Sequence, residues 1–315
     1  MPAPESPRSK PSSPSPEVVQ RQLKAHGRYP YSAITGRKDY DWPDGKRLAV
    51  YIGFNIEHFE FGAGHGACLG PKCPEPDVLN YSWRDYGNRV GVWRCLEVFD
   101  ALKLPVGALI NTALYDYAPE IIEAFAKRGD ELIAHGHTNS ERQGEMKPDE
   151  ERALLIGCRE RIKKESGTAP LGWLSPWISE SGATPDLLAE AGYKYTLNWC
   201  HDDQPTKFKT KNGEFWSIPY PQELNDIPAV MARLMSGSDF ADMILDQFEE
   251  MLRQSVDQPL VMGIALHPYI AGQPHRLRPL RRALEHLCAE RSSPGVWWTT
   301  PGRISDWISA ARSPA

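Results

Sequence analysis

A chain of 315 residues with 41% hydrophobic content can bury a large core, in one big domain or two ordinary ones. Its net charge of −5 and pI near 6.0 leave no basic excess to neutralise phosphates, which argues against nucleic acids and anionic membrane surfaces as partners. No apolar run approaches the ~20 residues that span a bilayer. The opening segment, MPAPESPRSKPSSPSPEVV, lacks the apolar core of a secretory signal, so the expected location is the cytoplasm. Six scattered cysteines fit free thiols in a reducing compartment better than a disulfide framework.

Residues 1–27, rich in Pro and Ser at their start, are expected to form a disordered tail, and residues 28–311 a single catalytic domain. The run Leu48–Asn55 is almost wholly apolar and reads as a strand buried on both faces; it opens directly into Asn55, Glu57, His58 and Glu60. A Gly- and Pro-rich loop is expected from Gly62 to about Gly87. Val92, Cys95, Leu96, Phe99 and Leu102 then repeat with the spacing of an amphipathic helix. Strands follow at 105–110, 131–135, 172–174, after Gly192, at 215–221, 260–268 and 296–300. Helices are expected at 118–129, 147–167, 184–191, 238–256, 275–290 and 301–311. Strand and helix thus alternate, and a helix in each connection predicts parallel pairing in an α/β layer or barrel.

In such folds ligands gather at the carboxyl ends of the strands. Asn55, Glu57, Asn111, His135, Trp177, Asp202 and His267 all fall at such ends, which points to one shared site. Glu57 can take a proton from water, His267 can protonate a departing nitrogen, and His135 or Asn55 can stabilise the oxyanion between those steps. That is equipment for hydrolysing an amide-like C–N bond. No nucleophile stands in an elbow motif, which disfavours a covalent route. The rival readings are plain: His135 and His137 around Gly136 suit a metal site or an ordinary loop, His267 a satisfied core histidine, and Asp202 and Asp203 a turn before Pro205.

The series FNIEHFEFG, ELIAHGHTNSERQ, GWLSPW, LNWCHDDQP, IPYPQELND and IALHPYIAGQP resembles the polysaccharide deacetylase superfamily, specifically its allantoinase-type, cyclic-imide-hydrolase-like branch, over roughly Tyr40 to Ile308. The resemblance implies a distorted (β/α) barrel of about seven parallel strands. It also implies a divalent metal held by an aspartate and two histidines, with a second aspartate as base. Carried over, the base falls at Asn55, the metal aspartate at Glu57, the histidine pair at His135 and Asn139, the third-motif arginine at Leu174 and the catalytic histidine at His267. Asn55 cannot serve as a base and Asn139 offers only a neutral oxygen.

The expectation is therefore a hydrolase of a small cyclic amide, imide or ureide with Glu57, His135 and His267 as catalytic residues. Asn55, His58, Trp177, Trp199 and Asp202 would shape the substrate pocket. No cofactor is required on this reading, although a divalent metal such as zinc would fall to Glu57 and His135. The branch suggests a homo-oligomer. The alternatives are a metal-dependent N-deacetylase of a soluble sugar conjugate and a non-catalytic binding protein that kept the barrel.

Overall fold

The computed structural model describes residues 24–63, 66–70, 73–289 and 295–312; residues 1–23 of the expected tail lie outside the described residues. Strand β1 (Leu48–Ile56) is buried at every position, as its apolar run requires. The expected loop after it contains a helix, α1 (Val78–Tyr86), whose first turn is capped by the Asp77 side chain accepting from Asn80 N. A π-helical turn (Gly87–Gly91) joins α1 to α2 (Val92–Ala101), which buries Val92, Cys95, Val98 and Phe99 along one stripe. There follow β2 (Val106–Ile110), a short α3 (Leu114–Tyr117), α4 (Pro119–Arg128), β3 (Glu131–Ala134), α5 (Pro148–Ser166), the two-residue β4 (Gly172–Trp173), α6 (Thr184–Ala191) and the equally short β5 (Tyr195–Thr196).

Beyond β5 the alternation breaks. β6 (Thr206–Phe208) and β7 (Phe215–Ser217) form an antiparallel pair with no helix between them, a departure from the all-parallel expectation. The chain resumes with α7 (Gly237–Gln254), started by a reciprocal cap between Ser236 and Asp239. It ends with β8 (Leu260–Leu266), α8 (Pro268–Ala271), α9 (Pro274–Ala289), β9 (Val296–Trp298) and α10 (Pro301–Arg312).

The nine described strands, against about seven expected, form one curled sheet in the order β6-β7-β5-β4-β3-β2-β1-β8, with β9 also paired to β1. Every pair but β6–β7 is parallel. The irregular segment 218–226, which follows β7, runs beside β8. There the Leu224 carbonyl accepts from Ala265 N at 3.0 Å and Asn225 bridges to Ala265.

Two apolar layers follow from the strand period of two. Leu48, Val50, Ile52, Phe54 and Ile56 of β1 meet the helices outside, with Leu260, Met262, Ile264 and Leu266 of β8. Ala49, Tyr51, Val261, Ala265, Leu109, Ile133, Tyr195 and Trp216 fill the interior, which Trp42 and the α10 residues Ile304 and Ile308 help to pack. Among the described residues all six cysteines are free, and no helix is long and apolar enough to cross a membrane.

Next to the end of β8, the π-helical turn and α8 touch backbone to backbone. A Cβ on Gly91 would fall 2.1 Å from the Pro268 carbonyl oxygen, and one on Gly272 would fall 2.3 Å from Gly91 Cα. Gly91→Ala should therefore destabilise the fold by about 1–3 kcal/mol, the usual cost of overpacking. Urea unfolding followed by circular dichroism measures this, and an unchanged midpoint would show that the contact yields freely.

Candidate active site

The inward-facing column of β1 runs Ala49, Tyr51, Gly53, Asn55, and one more step of the same parity brings Glu57 over the barrel interior. On β8 the same step past Val261, Gly263 and Ala265 brings in His267, and on β3 the step past Ile133 brings in His135. β1 is in register with both neighbours, Gly53 lying opposite Ala265 and Asn55 opposite Leu109. By this register His135 lies level with Glu57 and His267 level with Asn55, one inward step below, so the three side chains meet at the same end of the barrel. Glu57, His135 and His267 are all buried, and Glu57 Oε1 lies 3.5 Å from His135 Nε2 and 3.6 Å from His267 Nε2, just beyond hydrogen-bond range.

The loops that carry these groups are tied together. Asn111, at the end of β2, donates from Nδ2 to the His135 carbonyl and accepts from His58 N at 2.8 Å. Asn88 Nδ2 donates to the Glu57 carbonyl, and Asn139 N donates to that of His58. Gly136 turns the chain after His135 at φ 74°, where a Cβ would fall 2.6 Å from the Pro176 ring, so this turn requires glycine.

Glu57 accepts from Asn139 Nδ2 at 2.7 Å on Oε1 and from Tyr269 Oη at 2.9 Å on Oε2. Burial alone would raise its carboxyl, but the His267 charge, with the His135 ring close by, lowers it to about 2. His267 Nδ1 lies 2.6 Å from Asp226 Oδ1, and its backbone N donates to Asp226 Oδ2 at 2.8 Å. Burial would lower the imidazole, but Asp226 and Glu57 lift it to about 10. At neutral pH the site therefore holds a buried Glu57–His267 ion pair, with Asp226 beside the imidazolium and its own carboxyl pushed up by burial. His135 is held differently: Nδ1 donates to the Leu174 carbonyl at 2.7 Å, and Nε2 is a buried atom with no hydrogen-bond partner.

These groups line a cavity of about 150 Å³ with Asn55, Asn139, Trp177, Tyr220, Gln222 and Asn225, and with apolar walls that include Phe59, Leu174, Ile178 and Tyr269. Asn55 and Tyr220 bond each other through Asn55 Nδ2 at 2.9 Å and Asn55 Oδ1 at 3.2 Å, so the asparagine is held in place at the cavity wall. Trp177 and Ile178 sit at positive φ, 62° and 53°, and Trp177 Nε1 donates to the Asn139 carbonyl.

Three expected pocket residues lie elsewhere. His58 has the opposite parity to Glu57, and its ring stands 4.5 Å from that of Tyr117. Trp199 donates to Glu180 at 2.8 Å and packs with Tyr29 and Phe208. Asp202 forms a two-pronged pair with Arg37 at 2.6 and 2.7 Å, beside a separate surface cleft. Sequence reasoning in turn gave no role to Asp226, Tyr269 and Gln222. The motifs IPYPQELND and LHPYIAGQP contain all three, but nothing in their spacing tells which side chain turns inward.

The donor set does not fit a resident divalent ion. Both Glu57 oxygens already accept from neutral donors, and the nitrogen of Asn139, not its oxygen, faces the carboxylate. Among the described residues no three His, Cys, Asp or Glu side chains converge as such an ion needs. The vacant ligand atoms at the cavity are His135 Nε2 and Asn139 Oδ1, the second only a neutral amide oxygen.

No family model matches the chain. It is 26% identical to the peptidoglycan deacetylase of Helicobacter pylori over 70% of this chain and 84% of that one. It is also 26% identical to a putative polysaccharide deacetylase of Schizosaccharomyces pombe over 85% of this chain and 92% of that one. Among solved structures, a probable polysaccharide deacetylase from Pseudomonas aeruginosa superposes with a TM-score of 0.78 at 22% identity, covering 91% of this chain and all of that one. Puue allantoinase superposes with 0.77 at 24% identity, covering 91% and 99%. The fold is that of the polysaccharide deacetylase superfamily.

The Asp226–His267 contact sets a pH dependence. His267 is useful as an acid only while protonated, so kcat/KM should stay level from about pH 5 to about pH 8 and fall as the pH rises towards about 10. Asp226→Asn removes one of the two carboxylates that lift the imidazole, so the alkaline limb should move to lower pH. The rate should drop by roughly 10²- to 10⁴-fold, as when an orienting carboxylate is lost beside a catalytic imidazole. A pH–rate profile of both proteins checks this, and superimposable profiles would contradict it.

Proposed function

We propose that the chain hydrolyses a C–N bond other than a peptide bond, opening a small cyclic amide, imide or ureide. The observation that carries this reading is the charged pair, Glu57 and His267, lining a small cavity of about 150 Å³. A void of roughly that size accommodates a benzene-sized ring, whereas a glycan chain needs an extended groove. The two deacetylase relatives and the allantoinase-like superposition support C–N hydrolysis in general; the ring substrate rests on the cavity.

The charges supply a mechanism. Water placed against Glu57 attacks the ring carbonyl and passes its proton to the carboxylate. The low pKa of Glu57 makes it a weak base only while His267 is charged. As the proton reaches Glu57, the anion that held the imidazolium disappears and His267 becomes a stronger acid. Its Nε2 proton then goes to the leaving nitrogen as the C–N bond breaks. Each transfer thus drives the other, and once product leaves, the protonated Glu57 and neutral His267 return to the ion pair by a single proton shift. Asn55, held by Tyr220, and His135 position the carbonyl.

The test is a panel of allantoin, hydantoin, dihydropyrimidine, succinimide and phthalimide, with ring opening followed by mass spectrometry. At least one should be opened, and Glu57→Gln should lower kcat by about 10³-fold or more, as expected for loss of a general base within a charged network. No turnover of any ring would overturn the reading, and acetate release from an N-acetylated sugar would replace it.

A further inference from the structure

Three polar atoms of the residues around the cavity are buried without a hydrogen-bond partner: His135 Nε2, Asn139 Oδ1 and Gln222 Nε2. An unpaired buried polar group carries a desolvation cost with nothing to offset it, so three around one cavity mark a surface completed by its ligand. His135 and Asn139 enter from the β3 side. Gln222 enters from the opposite side, on the 218–226 segment that runs beside β8 and also carries Asp226. Glu57 lies between the two groups.

This order has a chemical meaning. A ring whose reacting carbonyl faces Glu57 and whose leaving nitrogen faces His267 must point the nitrogen's other substituent towards the 218–226 segment. We infer that Gln222 Nε2 donates a hydrogen bond to a second carbonyl attached to the leaving nitrogen, which makes the site selective for imides and ureides over simple lactams. The inference rests on the ring-opening reading above.

The bookkeeping of the step supports a role in rate as well as in binding. Water adds to the first carbonyl carbon, and its proton goes to Glu57. The C–N bond then breaks, and its electron pair passes to the nitrogen and spreads onto the second carbonyl oxygen. The His267 proton ends on that nitrogen, giving a carboxylic acid and a primary amide or a urea. A donor held at the second oxygen stabilises charge that develops only as the bond breaks, an arrangement worth about 10²–10³ in kcat. In a lactam the pair stays on nitrogen and the donor has nothing to hold.

The experiment compares wild type with Gln222→Leu, which removes the donor, and Gln222→Glu, which keeps the shape but offers an acceptor. Turnover of succinimide and hydantoin is measured, together with calorimetric binding of succinimide and of 2-pyrrolidinone, the lactam of the same ring size. Both variants should lose about 10²-fold in kcat with a smaller change in KM. The wild-type preference for succinimide over the lactam should vanish in them. If Gln222→Leu fails to fold, as judged by circular dichroism, the isosteric Gln222→Glu carries the test. Turnover within twofold of wild type, or an unchanged preference for the imide, overturns the inference and leaves the ring-opening reading standing. If wild type opens no ring but its imide preference is lost in the variants, recognition by Gln222 stands and the hydrolytic reading falls.

Discussion

The site depends on the parity of three parallel strands held in register. Because successive side chains alternate between faces, a shift of one residue along β1 would send Glu57 outward among the helices and bring Ile56 and His58 inward. Register is enforced from below: the same inward column carries Tyr51, whose hydroxyl bonds the Pro219 carbonyl. The packing of the barrel interior and the placement of the reactive groups are thus one requirement.

The second requirement is electrical. A carboxylate with this little access to water would carry a desolvation penalty of several kcal/mol if left alone. Tyr269 and Asn139 offset part of it with direct hydrogen bonds, each worth about 1.5–3 kcal/mol to a charged group, and His267 supplies the opposite charge. Asp226 does the same for His267. The alternating row of Asp226, His267 and Glu57 is stable as a row, and removal of one member leaves its neighbour buried and unpaired.

Much of this could be read from the sequence because the signals were local. β1 is a continuous apolar run, and the helix spacing after Val92 places Cys95 and Phe99 inside as expected. The strand-end rule gave Glu57, His135 and His267. It gave Asp202 too, with Trp199 expected beside it in the pocket, because it locates a residue along the chain and says nothing of the direction of its side chain. β5 has only two residues, so the chain has already turned away by Trp199, and Asp202 is claimed by Arg37 from a distant segment. Asp226 and Gln222 were hidden for the opposite reason: their stretch has no periodic signal, and Asp226 meets His267 across 41 positions of sequence. α1 was missed because the glycines and prolines before it hid the Asp77 cap.

The irregular segment that follows β7 and runs beside β8 has a consequence for how such a site can change over evolutionary time. It is joined to β8 through Leu224 and Asn225 and is mostly buried, without the regular pairing of an interior strand. Yet the same nine-residue stretch holds the amide that meets the substrate and the carboxylate that sets the strength of the acid. Selectivity and acidity are therefore inherited together, and a lineage that remodels this stretch for a new ring also resets the proton donor.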